Sequence, residues 1–227
     1  GLGFGVGREP IPSVLARHGC DIVVTDLDPD AARSAGWSGT QQHSRSADEL
    51  HRPDLCDLEV FRQRVRFRVE DMTAISADLC TGEFDFVWSL CAFEHLGSLE
   101  SGLHFVKAAM ACVKPGGVAV HTTEYNLGSG EDTIARGGTV LYRRRDIEGL
   151  AAELRAMGYE IELNLHPGDG PLDRFLDVPP YRSDVHLKIE LGKYPTTSLG
   201  LLVRRITPEG YLKFQTLGGW LDQVGLE

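Results

Sequence analysis

No run of apolar residues in this sequence approaches the ~20 needed to span a bilayer as a helix. The longest, such as Gly116–Val120 and Leu199–Val203, are strand-sized, so neither a transmembrane helix nor a membrane partner is expected. Positive charge is scarce as well. Lysine and arginine total 23 against 33 aspartates and glutamates, a net charge of −10. Such a surface repels phosphate backbones, which excludes electrostatic, non-specific nucleic-acid binding. Cysteine is sparse and lacks a pairing pattern. Cys20, Cys56, Cys80, Cys91 and Cys112 are odd in number, and none forms a C-x-x-C pair, so neither a disulfide framework nor a metal site is expected. A reducing, cytoplasmic setting is the simplest one. Internal repeats, low-complexity tracts, a signal peptide and an initiator methionine are all missing. The chain opens on a glycine-rich turn that a strand normally precedes, so an absent N-terminal segment is expected.

What is present is the composition of a folded globular chain. Of 227 residues, 42% are hydrophobic and 25% charged, close to globular averages. A chain of this length buries on the order of 70% of the surface it exposes when unfolded. Strand-like and helix-like segments alternate. Pro10 and Pro12 suit a first helical turn, Ile11, Val14 and Leu15 follow at helical spacing, and Gly19 ends the helix. Short strands are expected at Asp21–Thr25, Val65–Val69, Phe84–Ser89, Val118–Thr122, Tyr159–Leu165 and Ser198–Ile206, with helices at Leu99–Cys112 and Asp146–Met157. Lys114-Pro115-Gly116-Gly117 reads as a turn. The alternation predicts an α/β fold with a doubly wound, Rossmann-like, mostly parallel sheet, in one domain over residues 1–206. The stretches 36–62 and 166–197 read as loop insertions over the carboxyl edge of the sheet, the first as a polar insertion or lid with a little helix in it. Residues 207–227 form a tail, patterned only as a short helix at Gly219–Val224.

Three features fall at strand ends, where ligands of such sheets bind. Gly3-Phe4-Gly5-Val6-Gly7 precedes the first helix, and glycines let a backbone approach a ligand and adopt positive φ. The dinucleotide fingerprint G-x-G-x-x-G fails, because the third glycine position is Arg8 counted from Gly3 and Val6 counted from Gly1. Asp26 ends the second strand, 19 residues beyond Gly7. A carboxylate there can accept hydrogen bonds from both ribose hydroxyls of an adenosine. Its alternative task is to cap the helix that starts at Pro29, for which the adjacent Asp28 is better placed. Asp71-Met72 follows the third strand. The acid can accept from an adenine amino group while Met72 covers the ring; the plainer reading is an exposed loop with a buried methionine.

Taken in order and spacing, these segments resemble the class I S-adenosylmethionine-dependent methyltransferases. The resemblance rests on Gly3–Gly7, Thr25-Asp26-Leu27-Asp28, Glu70-Asp71-Met72, Phe84-Asp85-Phe86-Val87-Trp88-Ser89, Phe93-Glu94-His95-Leu96 and Val113-Lys114-Pro115-Gly116-Gly117. It covers Gly1 to Val120 well and the later elements in outline. It implies S-adenosylmethionine as cofactor, with Gly3, Phe4, Gly5 and Gly7 at its methionine part. Asp26 would then hold the ribose and Leu27 lie against adenine. Asp71 and Met72 would bind adenine, and Leu90 would border the methyl group. One departure is that the acid often found two residues before the first glycine is Gly1 here.

The acceptor side is less patterned. A hydroxyl acceptor wants a general base, most often histidine. Candidates are His121 near the end of the fifth strand, His95 after the fourth, and His186 in the proline-rich insertion, with Glu94 or Glu124 to orient a histidine or bind a hydroxyl. The run His121-Thr122-Thr123-Glu124-Tyr125-Asn126 is polar for a strand end, which favours His121 as acceptor-facing. Strand alternation sets His121 and Thr123 on one face and Thr122 and Glu124 on the other. The polar residues suit a small-molecule or saccharide acceptor methylated at oxygen. Alternatives are an adenine-dinucleotide oxidoreductase and a non-catalytic binding protein on the same fold. Val178-Pro179-Pro180-Tyr181 is a rigid loop rather than an amino-methylation motif, which belongs after the fourth strand. Arg143-Arg144-Arg145 reads as a small solvated patch.

Overall fold

Strand β1 is only Leu2–Gly3, yet it lies at the middle of the sheet. The computed structural model describes residues 1–30, 43–128, 130–183 and 186–207. The strands are β1, β2 (Ile22–Asp26), β3 (Val65–Val69), β4 (Phe84–Leu90), β5 (Val113–Asn126), β6 (Tyr159–Glu162), β7 (Lys188–Leu191) and β8 (Tyr194–Arg205). Their order is β3-β2-β1-β4-β5-β8-β6, with β7 on β8. The first five run parallel, and β8 runs antiparallel to β5, β6 and β7. The chain thus reverses direction across the sheet between β1 and β4. That switch point leaves a crevice at the carboxyl ends.

Helices cover both faces. On one face α1 (Ile11–Arg17) and α2 (Leu58–Arg64) enclose Ala16, Ile22, Val24, Leu50, Phe61 and Trp88. On the other, α3 (Leu99–Ala109) and α4 (Arg144–Ala156) bury Phe105, Val106, Ile147, Leu150 and Leu154 against β5 and β8. Side chains at the starts set the helix boundaries. Ser98 Oγ accepts from Ser101 N at 3.1 Å, and Asp57 Oδ1 from Glu59 N at 2.9 Å, satisfying amides that would otherwise be orphaned.

Three expectations are corrected. The stretch 36–62, read as an insertion or lid with a little helix, is framework at its described end: beside the 3-10 turn at Ala47–Leu50 and the start of α2, Leu50 and Phe61 are fully buried. Seven residues make fewer than two turns, too short a window for helical periodicity to show in the sequence. Strand β5 begins at Val113 and extends to Asn126, because Pro115 and the two glycines after it are taken up in a register shift against β4, and β8 pairs β5 from Val118 through Asn126. The stretch 166–197 ends in a hairpin, β7 turning at Gly192 (φ 64°) into β8. The expected helix at Gly219–Val224 lies outside the described residues, as does the segment 31–42.

Candidate active site at the carboxyl ends of the parallel strands

The glycine loop is shaped by what lies beneath it. A Cβ on Gly3 would come within 2.4 Å of the Trp88 ring, and one on Gly5 within 2.9 Å of Ala92 Cβ and 3.0 Å of Met72 Sδ. Gly5 and Gly7 hold φ of 57° and 51°, conformations that favour glycine. Thr25 ties the loop to β2 by donating from Oγ1 to the Gly3 carbonyl at 3.0 Å. Phe4 differs from its expected role. Its side chain is fully buried, edge-on to Phe105 with centroids 5.3 Å apart, and its N–H donates to Trp88 O. Phe4 therefore anchors the loop to the core under α3, and its ring is turned away from the crevice.

Asp26 stands beside the loop at the end of β2. Its Oδ1 accepts from Leu27 N at 2.8 Å and its Oδ2 from Ser44 N at 3.0 Å, while His43 Nε2 lies 3.9 Å from Oδ1. Burial pushes the Asp26 carboxyl pKa up, against the pull of these hydrogen bonds and of His43. His43 Nε2 also contacts the Leu27 carbonyl at 2.7 Å, and Ser44 Oγ donates to the Gly7 carbonyl. Asp28 Oδ1 accepts from Asp30 N at 2.9 Å, a local capping contact that leaves Asp26 for other work. Asp71 is exposed after β3, its Oδ1 accepting from Thr73 N and Oγ1, whereas Met72 is buried against the glycine loop. Gly3, Gly5, Gly7, Asp26, Leu27, Asp71, Met72 and the half-buried Leu90 thus all lie on the loops and strand ends of β1–β4.

The catalytic candidates are redistributed. His121 is fully buried, with its ring edge-on to Phe105 of α3 at 5.7 Å and to Phe93 at 6.2 Å, and its Nδ1 on Ser89 Oγ at 2.8 Å. Burial pulls its pKa down to about 4. The odd-numbered face of β5 is the one that α3 covers, so His121 is a neutral core residue and not an acceptor-facing base. His95 Nδ1 bonds the Gly138 carbonyl at 2.8 Å and lies 3.2 Å from Thr139 Oγ1. It pins the 137–139 segment to the turn after β4, and burial lowers its pKa. Glu94 is fully buried, with Oε2 accepting from Thr123 Oγ1 at 3.1 Å, and burial pushes its pKa up to about 8. Cys91, which takes a positive φ of 47°, sits with Glu94 and Glu124 in one cluster.

Sequence reasoning gave little weight to two groups. Glu9 follows the glycine loop, accepts from Trp88 Nε1 at 2.5 Å, and is pushed up to about 7 by burial, with Asp26 adding to the rise. Nothing in the pattern of residues 8–10 marks it. His186 belongs to a cleft of about 390 Å³ lined by Tyr125, Asn164, His166, Asp173 and Ser198 among others. Its Nδ1 lies 2.8 Å from Asp177 Oδ2, and Asp177 is buried. The basic triplet is neutralised: Arg143 pairs with Asp146, Arg144 with Glu148, and Arg145 with Glu131.

Among the described residues no helix is long and apolar enough to cross a membrane. In comparisons with known proteins, residues 2–121 match the methyltransferase domain family. No curated protein matches in sequence. Among solved structures, the chain is similar to a 1,6-didemethyltoxoflavin-N1-methyltransferase of Burkholderia thailandensis, solved with its substrate and S-adenosylhomocysteine. That similarity has a TM-score of 0.52 and 14% identity, covering 90% of this chain and 70% of that one. It is also similar to a SAM-dependent methyltransferase of Methanosarcina mazei, with a TM-score of 0.51 and 12% identity over 91% and 92% of the two chains. An O-methyltransferase family protein of Burkholderia thailandensis has a TM-score of 0.49 and 16% identity over 91% of this chain; the chain spans about half of that protein's length, 51%. The family match over more than half of the chain, on a sheet with this strand order and its one reversed strand, shows that the chain belongs to the class I S-adenosylmethionine-dependent methyltransferases.

Proposed function

We propose that this methyltransferase acts on the hydroxyl of a small molecule or saccharide bound in the 390 Å³ cleft, with His186 as general base. The observation that carries the reading is His186 on the cleft wall with the Asp177 carboxylate beside it, Nδ1 to Oδ2 2.8 Å. The Asp177 carboxylate beside Nδ1 orients the ring and leaves Nε2 as the atom to take a proton from an acceptor hydroxyl. Asn164, Ser198, Thr197 and Asp173, which line the same cleft, offer donors and acceptors to a hydroxyl-rich ligand.

The cofactor belongs across the ends of β1, β2, β3 and β4, with Asp26 on its ribose and Asp71 and Met72 at its adenine. In the reaction, a lone pair of the acceptor oxygen attacks the methyl carbon. The carbon–sulfur bond breaks, its electron pair stays on sulfur as a neutral thioether, and the hydroxyl proton passes to His186. Much of the catalysis in such a displacement is positioning. A hydroxyl-bearing substrate panel, read by S-adenosylhomocysteine release, identifies the acceptor. With that acceptor, His186→Asn is expected to lower kcat roughly 10²–10⁴-fold at unchanged cofactor affinity. Full turnover by the variant would remove His186 from the chemistry.

A further inference from the structure

We propose that Cys91, Glu94 and Glu124 bind one divalent transition-metal ion of the zinc type at the edge of the acceptor cleft. Cys91 Sγ and one carboxylate oxygen from each glutamate lie within 4.8 Å of one another. The three come from separate places: the residue after β4, the turn that follows it, and β5. Pairing of Leu90 with Thr122 brings them together, and Cys91 N donates to the Thr122 carbonyl at 3.0 Å. Their positions, 91, 94 and 124, match no metal-binding spacing in sequence, which is why only the fold reveals them.

The second observation is an atom without a partner. Glu94 has no exposed surface; Oε2 is held by Thr123 Oγ1, and Oε1 is buried with no hydrogen-bond partner. A buried polar atom left unpaired costs about 1–3 kcal/mol, more when charged. Among the described residues neither Glu94 nor Glu124 is paired with a lysine or arginine. A metal ion would satisfy Oε1 and take the place of a proton on the acids, which binding releases. The Thr123 hydroxyl would then orient the ligating carboxylate from outside, as such partners do in metal sites.

Ligand chemistry selects the ion. Donor atoms around tetrahedral zinc stand roughly 3.3–3.5 Å apart, inside the 4.8 Å within which these three atoms lie, so the side chains would draw together on binding. A thiolate with two carboxylates suits zinc and disfavours magnesium and calcium, which prefer all-oxygen sites. Three protein ligands leave a fourth position open. Glu124 pairs across the sheet with Ser198, which lines the cleft, so that position belongs to the end of the cleft where an acceptor oxygen would be activated.

Cobalt(II) is the probe, titrated into the whole reduced chain without cofactor. One equivalent is expected to bind, with thiolate-to-cobalt charge-transfer absorption in the near ultraviolet. Cys91→Ser, at an exposed position, should abolish that band while far-ultraviolet dichroism stays unchanged. Glu124→Gln should keep the band and weaken binding at least tenfold. No band in the wild type, or a band that survives in Cys91→Ser, overturns the site. The readout involves no methyl transfer, so it stands or falls separately from the identity of the acceptor and the role of His186.

Discussion

Asp26 and His121 show how differently two buried polar residues of one sheet are used. Asp26 is almost buried, yet its protein hydrogen bonds come from backbone amides, Leu27 and Ser44 among them, and leave lone-pair capacity for hydroxyl donors. Hydrogen bonds to a charged group are worth roughly 1.5–3 kcal/mol each. Asp26→Ala is therefore expected to lower S-adenosylmethionine affinity at least tenfold in calorimetry, with the fold retained. Unchanged affinity would place the ribose elsewhere. His121, by contrast, is held neutral by its apolar surroundings. Its pKa is about 4 in the native state and 6.5 when solvated. Between those values the unfolded chain holds more protons, so stability is full above pH 6.5 and declines toward pH 4, by roughly 3 kcal/mol. Denaturant unfolding at pH 7 and pH 4.5 should show wild type losing stability relative to His121→Gln. Parallel pH dependence in the two proteins would mean that His121 is solvated in the native state.

At the scale of elements, α2 and the β7–β8 hairpin turn expected loops into framework. Phe61 of α2 is fully buried, and the His51 ring lies tilted against it with centroids 5.2 Å apart. Loss of a buried phenylalanine costs about 3–5 kcal/mol, so Phe61→Ala should lower the unfolding free energy by that order in a denaturant titration. A lid that opens freely would lose almost none. The hairpin acts on the site. Backbone bonds from Asp177 N to Lys188 O and from Glu190 N to Asp177 O fasten Asp177 to β7. That fastening holds the buried carboxylate where it meets His186, so the pair proposed as the base rests on strand pairing rather than on loop packing.

For the whole molecule, ligand binding should be visible as stability. A ligand that binds only the native state at one hundred times its Kd adds about 2.7 kcal/mol, so S-adenosylmethionine should raise the melting temperature and NAD should not. The opposite result would restore the dinucleotide reading. The strand–helix alternation, the glycine loop and the acids at the ends of β2 and β3 were legible in the sequence, because each depends on residues close together in the chain; the order of the strands in the sheet was not. Apolar runs of period two mark strands, glycines mark positive φ, and Asp26 and Asp71 follow their strands directly. Only the tertiary structure decided which polar residues of β5 face solvent, because that turns on which face α3 covers. Alternation separated His121 from Glu124, but burial against Phe93 and Phe105 is a contact between distant segments. The same holds for His186 with Asp177 and for Cys91 with Glu94 and Glu124. Their chemistry comes from pairings of β4, β5, β7 and β8 that no local pattern encodes.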